Sequence, residues 1–150
     1  MMTEAVSGTP RWRHVVQSIA EAPEASGRRD FVVYRDLGLS AATGGRAGGK
    51  SSVIKAAMAR PSGWHFHKCE IQINYILKGW VDMVFADGSE VRVKAGDVMM
   101  IPGGYAHNEI ATSADLEGLE FTLPAEIGTV PADAPQWWRE RETASGAAPA

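Results

Sequence analysis

Residues 65–79 read HFHKCEIQINYILKG, and residues 96–107 read GDVMMIPGGYAH. On an extended strand, side chains at i and i+2 leave the same face, so His65 and His67 point one way. Two converging imidazoles can grip one transition-metal ion, although an HxH pair alone also fits two half-exposed strand histidines. The second stretch ends on a third histidine, His107, just past Pro102-Gly103-Gly104. Proline removes a ladder donor, so it marks the end of a strand and the start of a turn.

Working outward, short apolar runs alternate with turn residues from position 31 onward. The runs are 31–34, 52–59, 63–68, 71–77, 80–86, 90–94, 97–102, 107–112 and 116–123. Pro61-Ser62-Gly63, Lys78-Gly79, Asp87-Gly88 and Ala95-Gly96 punctuate them. Strands that follow one another without helices between them predict an antiparallel sandwich or barrel, not βαβ units. Asp87-Gly88 predicts a hairpin with a type I′ turn. Apolar Trp12, Val15, Val16 and Ile19 recur at helical spacing, which predicts a short helix from Trp12 to about Glu21.

The chain has 150 residues, the size of one domain, with 45% hydrophobic and 22% charged residues. A net charge of -3 gives no basic field to attract nucleic acid or an anionic membrane. No apolar run approaches the roughly 18 residues of a membrane span. The single cysteine, Cys69, fits a reducing compartment, and MMTEAVSGTPRWRH lacks a secretory apolar core, so the expected location is cytoplasmic. The expected organisation is an N-terminal extension over 1–29, a barrel over 30–124 and a C-terminal segment over 125–150. Residues 1–10 and 143–150 read as loose ends. The adjacent Trp137 and Trp138 suggest that the C-terminal segment docks on the barrel or on a second subunit.

The spacing of the two stretches is specific. HxH is followed after four residues by Gln72 and, six further on, by Gly79; after 16 intervening residues come Gly96, Pro102, Gly104 and His107. This arrangement resembles the cupin superfamily, whose motifs are G-x5-HxH-x3,4-E-x6-G and G-x5-PxG-x2-H-x3-N. The resemblance covers residues 63–111 by motif and about 30–123 by strand rhythm. It implies an all-β fold, a single cupin β-barrel (double-stranded jelly roll), and a homodimer. It also implies one divalent transition metal (Fe, Mn, Ni, Zn or Cu) held by His65, His67 and His107. Three positions depart from the pattern: Ala59 replaces the first glycine, Ala111 the final asparagine, and Gln72 the glutamate ligand.

Gln72 offers only a neutral amide oxygen, either to the metal or to a metal-bound water or strand neighbour. A centre of three imidazoles keeps the full charge of the ion and favours an anionic chelating substrate. Some cupins with three histidines and no glutamate cleave diketones, gentisate or thiols with oxygen. The resemblance therefore implies a metalloenzyme of dioxygenase type acting on a small molecule; the alternative is a non-catalytic cup that binds or senses a ligand. Glu70 and Glu109 are candidates to replace the missing carboxylate, and Tyr105 is a candidate pocket residue. By parity Trp64 and Phe66 face away from the histidines, and Cys69 shares their face. His14 lies outside both motifs and reads as a surface residue. Residues 44–51, GGRAGGKS, match the phosphate-loop pattern letter for letter, but that loop needs a strand before it and a helix after it. Here it reads as a glycine-rich link between strands.

Overall fold

In a computed structural model, which describes residues 11–146, inward and outward side chains alternate along two antiparallel sheets packed face to face. The strands are β1 (Glu24–Ala25), β2 (Val32–Asp36), β3 (Gly48–Ile54), β4 (His65–Lys68), β5 (Ile71–Lys78), β6 (Trp80–Phe85), β7 (Glu90–Lys94), β8 (Val98–Pro102), β9 (His107–Thr112), β10 (Glu117–Leu123) and β11 (Gly128–Pro131). One sheet has the order β1-β2-β3-β10-β5-β8 and the other β11-β4-β9-β6-β7. This is the expected cupin jelly roll. Ile76, Val81, Met83, Val93 and Ile101 fill one end of the space between the sheets. The histidines occupy the other.

Two helices flank the barrel, α1 (Leu39–Thr43) and α2 (Gln136–Ser145). Helix α2 lays Trp138 against Trp64 on the outside of β4, with ring centroids 5.6 Å apart. Trp137 donates from Nε1 to the Ala86 carbonyl at 3.0 Å. The tryptophan pair thus docks on the barrel, and Trp64 faces away from the histidines as parity predicts. The expected loose tail is helical through Ser145, and residues 147–150 lie outside the described residues, as do 1–10.

The N-terminal helix is not formed. Residues 11–18 are irregular, and only a 3-10 turn, Ile19–Glu21, precedes β1. Val15 and Val16 are stiff at χ1, Ser18 makes no capping hydrogen bond, and Val16 stays 93% exposed. The segment instead runs extended along α1, where the Arg13 amide donates to the Ala42 carbonyl at 2.9 Å. The 87–88 hairpin forms, but not with a type I′ turn. Only Gly88 has positive φ, while the Asp87 carboxylate accepts from the Ser89 amide at 2.9 Å. The glycine-rich stretch 48–51 is the start of β3, paired with β10 throughout and with β2 from Lys50 onward, so it belongs to a ladder. No helix among the described residues is long and apolar enough to cross a membrane.

Candidate metal centre

His65 and His67 leave the inner face of β4, and His107 opens β9 directly opposite His65. All three are buried. The imidazole centroids lie 4.4 Å (His65–His107), 5.1 Å (His65–His67) and 5.2 Å (His67–His107) apart. One ring nitrogen from each lies within 4.8 Å of those of the other two.

Each Nδ1 has a protein partner. His65 Nδ1 faces the Gly63 carbonyl at 2.8 Å, and His107 Nδ1 faces the Tyr105 carbonyl at 2.9 Å. Carbonyl oxygens only accept, so these Nδ1 atoms carry the protons and leave the Nε2 lone pairs free. His67 Nδ1 meets the Thr129 hydroxyl at 3.1 Å, from the facing position on β11. Burial lowers the pKa of His65 and His107 and brings His67 down to about 4, with Arg28 and the neighbouring imidazoles adding to it. Three neutral imidazoles thus converge with their outer nitrogens fixed, the arrangement that orients metal-ligating histidines. His65 Nε2 is buried with no hydrogen-bond partner, which an imidazole lone pair tolerates poorly unless something binds there. The residues fit a metal ion.

A tight junction holds the two motifs together. The β8–β9 turn donates from Gly103 N to the Glu70 carbonyl at 3.0 Å and from Gly104 N to the His67 carbonyl at 2.9 Å. A Cβ on Gly103 would stand 1.6 Å from the Cys69 oxygen, so the approach requires glycine. The same turn carries Tyr105, whose carbonyl orients His107.

The other expected residues divide. Gln72 is buried on the inner face of β5; its Nε2 donates to Glu120 Oε2 at 2.7 Å, and its Oε1 is buried without a partner. Glu109 points inward two residues past His107, with Oε2 3.9 Å from His65 Nε2. Burial pushes its pKa up, but Arg29 and Arg28 together outweigh this and hold it well below the usual carboxylate range. Glu70 is exposed at the β4–β5 corner, outside the cavity, and contributes its backbone to the junction. Tyr105 stacks its ring on Phe85 at 5.9 Å and packs on the apolar core, so its part in the site is played by its carbonyl. Cys69 is not among the cavity residues, and His14 is exposed.

Four residues escaped sequence reasoning. Arg28 and Arg29, from the β1–β2 loop, both donate to Glu109, Arg28 at 3.2 Å. Glu120 on β10 and Thr129 on β11 complete the set. Parity would have placed Glu120 inward had the facing of β10 been known; nothing in the loop sequence marked the arginines. The cavity of about 130 Å³ has a polar end of His107, Glu109, Gln72, Glu120, Arg28 and Arg29, and an apolar end of Ile76, Val81, Met83 and Ile101.

Fold and centre together define a jelly-roll barrel with a three-histidine cup. The cupin domain family matches residues 56–120, which span both histidine motifs. Residues 56–120 thus match a cupin domain. Similar solved structures include the polyketide cyclase RemF from Streptomyces resistomycificus, at 16% identity and TM-score 0.60 over 85% of this chain and 94% of that one. A predicted oxalate decarboxylase from Thermotoga maritima shares 26% identity at TM-score 0.58, over 73% of this chain and 98% of that one. The Streptomyces nucleoside dehydratase Pac13 shares 11% identity at TM-score 0.56, over 79% of this chain and 92% of that one. No curated protein matches the chain by sequence.

Proposed function

We propose that this protein is a mononuclear metalloenzyme that cleaves a small, anionic, chelating substrate in an oxygen-dependent reaction. The observation that carries the metal reading is the set of three buried imidazoles with every Nδ1 engaged and the Nε2 atoms left to converge. His65, His67 and His107 would hold the ion, with the unpartnered Gln72 Oε1 as the adjoining neutral oxygen donor. When bound, a divalent transition metal supplies a Lewis-acid centre with open positions for a chelating oxygen and for dioxygen.

The charge count supports an anionic substrate. Arg28 and Arg29 offset Glu109 and Glu120 in the cavity wall, and the imidazoles are neutral, so a divalent ion leaves the site with a net positive charge. Glu120 makes no ion pair within 4.0 Å among the described residues and accepts only from Gln72, which makes it the cavity group suited to take a substrate proton. Glu109, tied to two guanidiniums, is too weak a base for that role. The apolar end accepts a small hydrocarbon body. The enzyme reading also agrees with the cyclase and dehydratase among the similar folds. The test is oxygen uptake by metal-reconstituted protein with diketones, catechols and thiols in turn. Uptake that is saturable and absent in His65→Ala supports it; no uptake with any class, on protein shown to hold its metal, sinks the oxygenase step.

We also propose a homodimer formed through the outer face of the six-stranded sheet. Tyr75, Val98 and Met100 stand there exposed, at 36%, 66% and 55%, with Tyr75 directly opposite Val98. β8 is also the open edge of that sheet. A contiguous apolar patch of this kind marks an association surface, and a second copy supplies the matching apolar face.

A further inference from the structure

The cavity and the groove outside it meet at two residues. The groove, about 520 Å³, is lined by Met58, Arg60, Ser62, Trp64, His65 and Thr129 among others, and Arg28 and Arg29 line both spaces. No Asp or Glu lines the groove itself, and Arg60 there adds a third guanidinium to Arg28 and Arg29, so its mouth is positively charged. We propose that Arg28 and Arg29 form a carboxylate-reading gate between groove and cavity. On this proposal, which rests on the small-anion reading above, the substrate is a monocarboxylate with a compact apolar body.

Three observations carry the assignment. First, Glu109 already shows what the gate binds: its two carboxylate oxygens are held separately, Oε1 by Arg28 Nη2 and Oε2 by Arg29 Nη2. Second, the two guanidiniums share that one carboxylate and leave donors over. The Arg29 side chain is only 14% exposed, yet its Nη1 finds no better acceptor than the Met58 thioether at 3.5 Å. A thioether is a weak acceptor, so a buried guanidinium donor stands ready for a stronger one. Third, the loop is shaped to deliver the pair. A Cβ on Gly27 would lie 2.0 Å from the Tyr34 ring, so only glycine lets the chain cross that ring and turn Arg28 and Arg29 toward the cavity. Behind the gate, about 130 Å³ with an apolar end is close to the roughly 150 Å³ apolar cavity that takes one benzene ring.

The incoming carboxylate takes the free guanidinium donors and competes with Glu109 for the others. Removing the Glu109 charge therefore strengthens acid binding, and removing an arginine weakens it. The probes are benzoate and its neutral isostere benzamide, titrated calorimetrically into metal-free and metal-loaded protein, with metal content measured in parallel. The proposal expects benzoate to bind about 10- to 100-fold more tightly than benzamide, the range of a charge-assisted hydrogen-bonded pair. Arg29→Gln should abolish that preference, and Glu109→Gln should raise benzoate affinity several-fold with benzamide unchanged. Arg29→Lys, checked for an intact melting transition, covers a failure of Arg29→Gln to fold. Equal affinity for the two probes, no benzoate binding at millimolar concentration, or an indifferent Glu109→Gln overturns the gate. Failure of the metal reading is distinguishable, since it appears as absent metal while the acid preference of metal-free protein persists.

Discussion

Alanine at Gly103 tests how the two histidine motifs are locked together. The added Cβ would stand 1.6 Å from the Cys69 oxygen and 2.6 Å from its carbonyl carbon. Real Cβ contacts stop at 3.0 Å, so the β8–β9 turn and the β4–β5 corner must part by about 1.4 Å. That displacement breaks the Gly103–Glu70 and Gly104–His67 hydrogen bonds, now 3.0 and 2.9 Å. Two such bonds are worth about 1 kcal/mol each. Residual strain in the opened junction adds roughly 1–3 kcal/mol, for a total of about 3–5 kcal/mol. Gly104→Ala is the comparison. Its Cβ meets nothing within 4 Å, and only its φ of +77° is unfavourable. That costs about 1–2 kcal/mol. Urea unfolding of metal-free protein reads both. With a slope near 2 kcal/mol/M, Gly103→Ala should lower the midpoint by about 2 M and Gly104→Ala by less than about 1 M. Metal affinity should fall with Gly103→Ala, because His67 and His107 hang on opposite sides of the junction. A Gly103→Ala midpoint at or above that of Gly104→Ala would refute the reasoning.

Three further outcomes follow from the same structure. Gln72→Glu sets a second carboxylate against Glu120, now 2.7 Å from the amide nitrogen; metal-free protein should lose about 1–3 kcal/mol at pH 7 and recover towards pH 5 as the pair shares a proton, and an unchanged melting temperature would contradict this. The metal-free protein should lose stability as pH falls. His67 is held near 4 in the fold, below the ordinary 6.5, so its contribution is complete above 6.5 and drains away towards 4. His65 and His107 act in the same direction, as does Glu109 below the ordinary carboxylate pKa. Melting temperature should therefore rise with pH from about 4 to 6.5, less steeply in His67→Gln; equal slopes would count against the buried neutral imidazole. Val98→Lys combined with Met100→Glu should convert a dimer to a monomer by light scattering, and a monomeric parent protein would remove the proposed interface.

The sheet architecture was legible because period-two alternation and turn residues are local signals. β7 and β9 fall on the residues their runs predict, and β5 extends its run by one. The three histidines were legible because strand parity and the Pro-Gly-Gly turn fix which way they point. What escaped depends on tertiary context. The first three residues of β3, Gly48-Gly49-Lys50, have poor strand propensity and are carried by pairing with β10, joined by β2 at Lys50. β11 supplies Thr129 only because it pairs with β4, a long-range contact that no periodicity announces. The N-terminal segment shows the reverse error: helical spacing of apolar residues was present, but the backbone donates instead from Arg13 to the Ala42 carbonyl of α1, a long-range bond that holds the segment extended. Arg28 and Arg29 sit in a loop with no pattern, and their place at the cavity follows from the close passage of Gly27 over Tyr34.

The central claim is that His65, His67 and His107 hold one transition-metal ion. Elemental analysis of tag-free protein, purified without chelators and with oxygen excluded, tests it most directly beside His65→Ala. The account predicts close to one equivalent of metal per chain, lost in the variant while the fold, read by circular dichroism, persists. No bound metal after reconstitution with iron, manganese, nickel, zinc and copper in turn would contradict it.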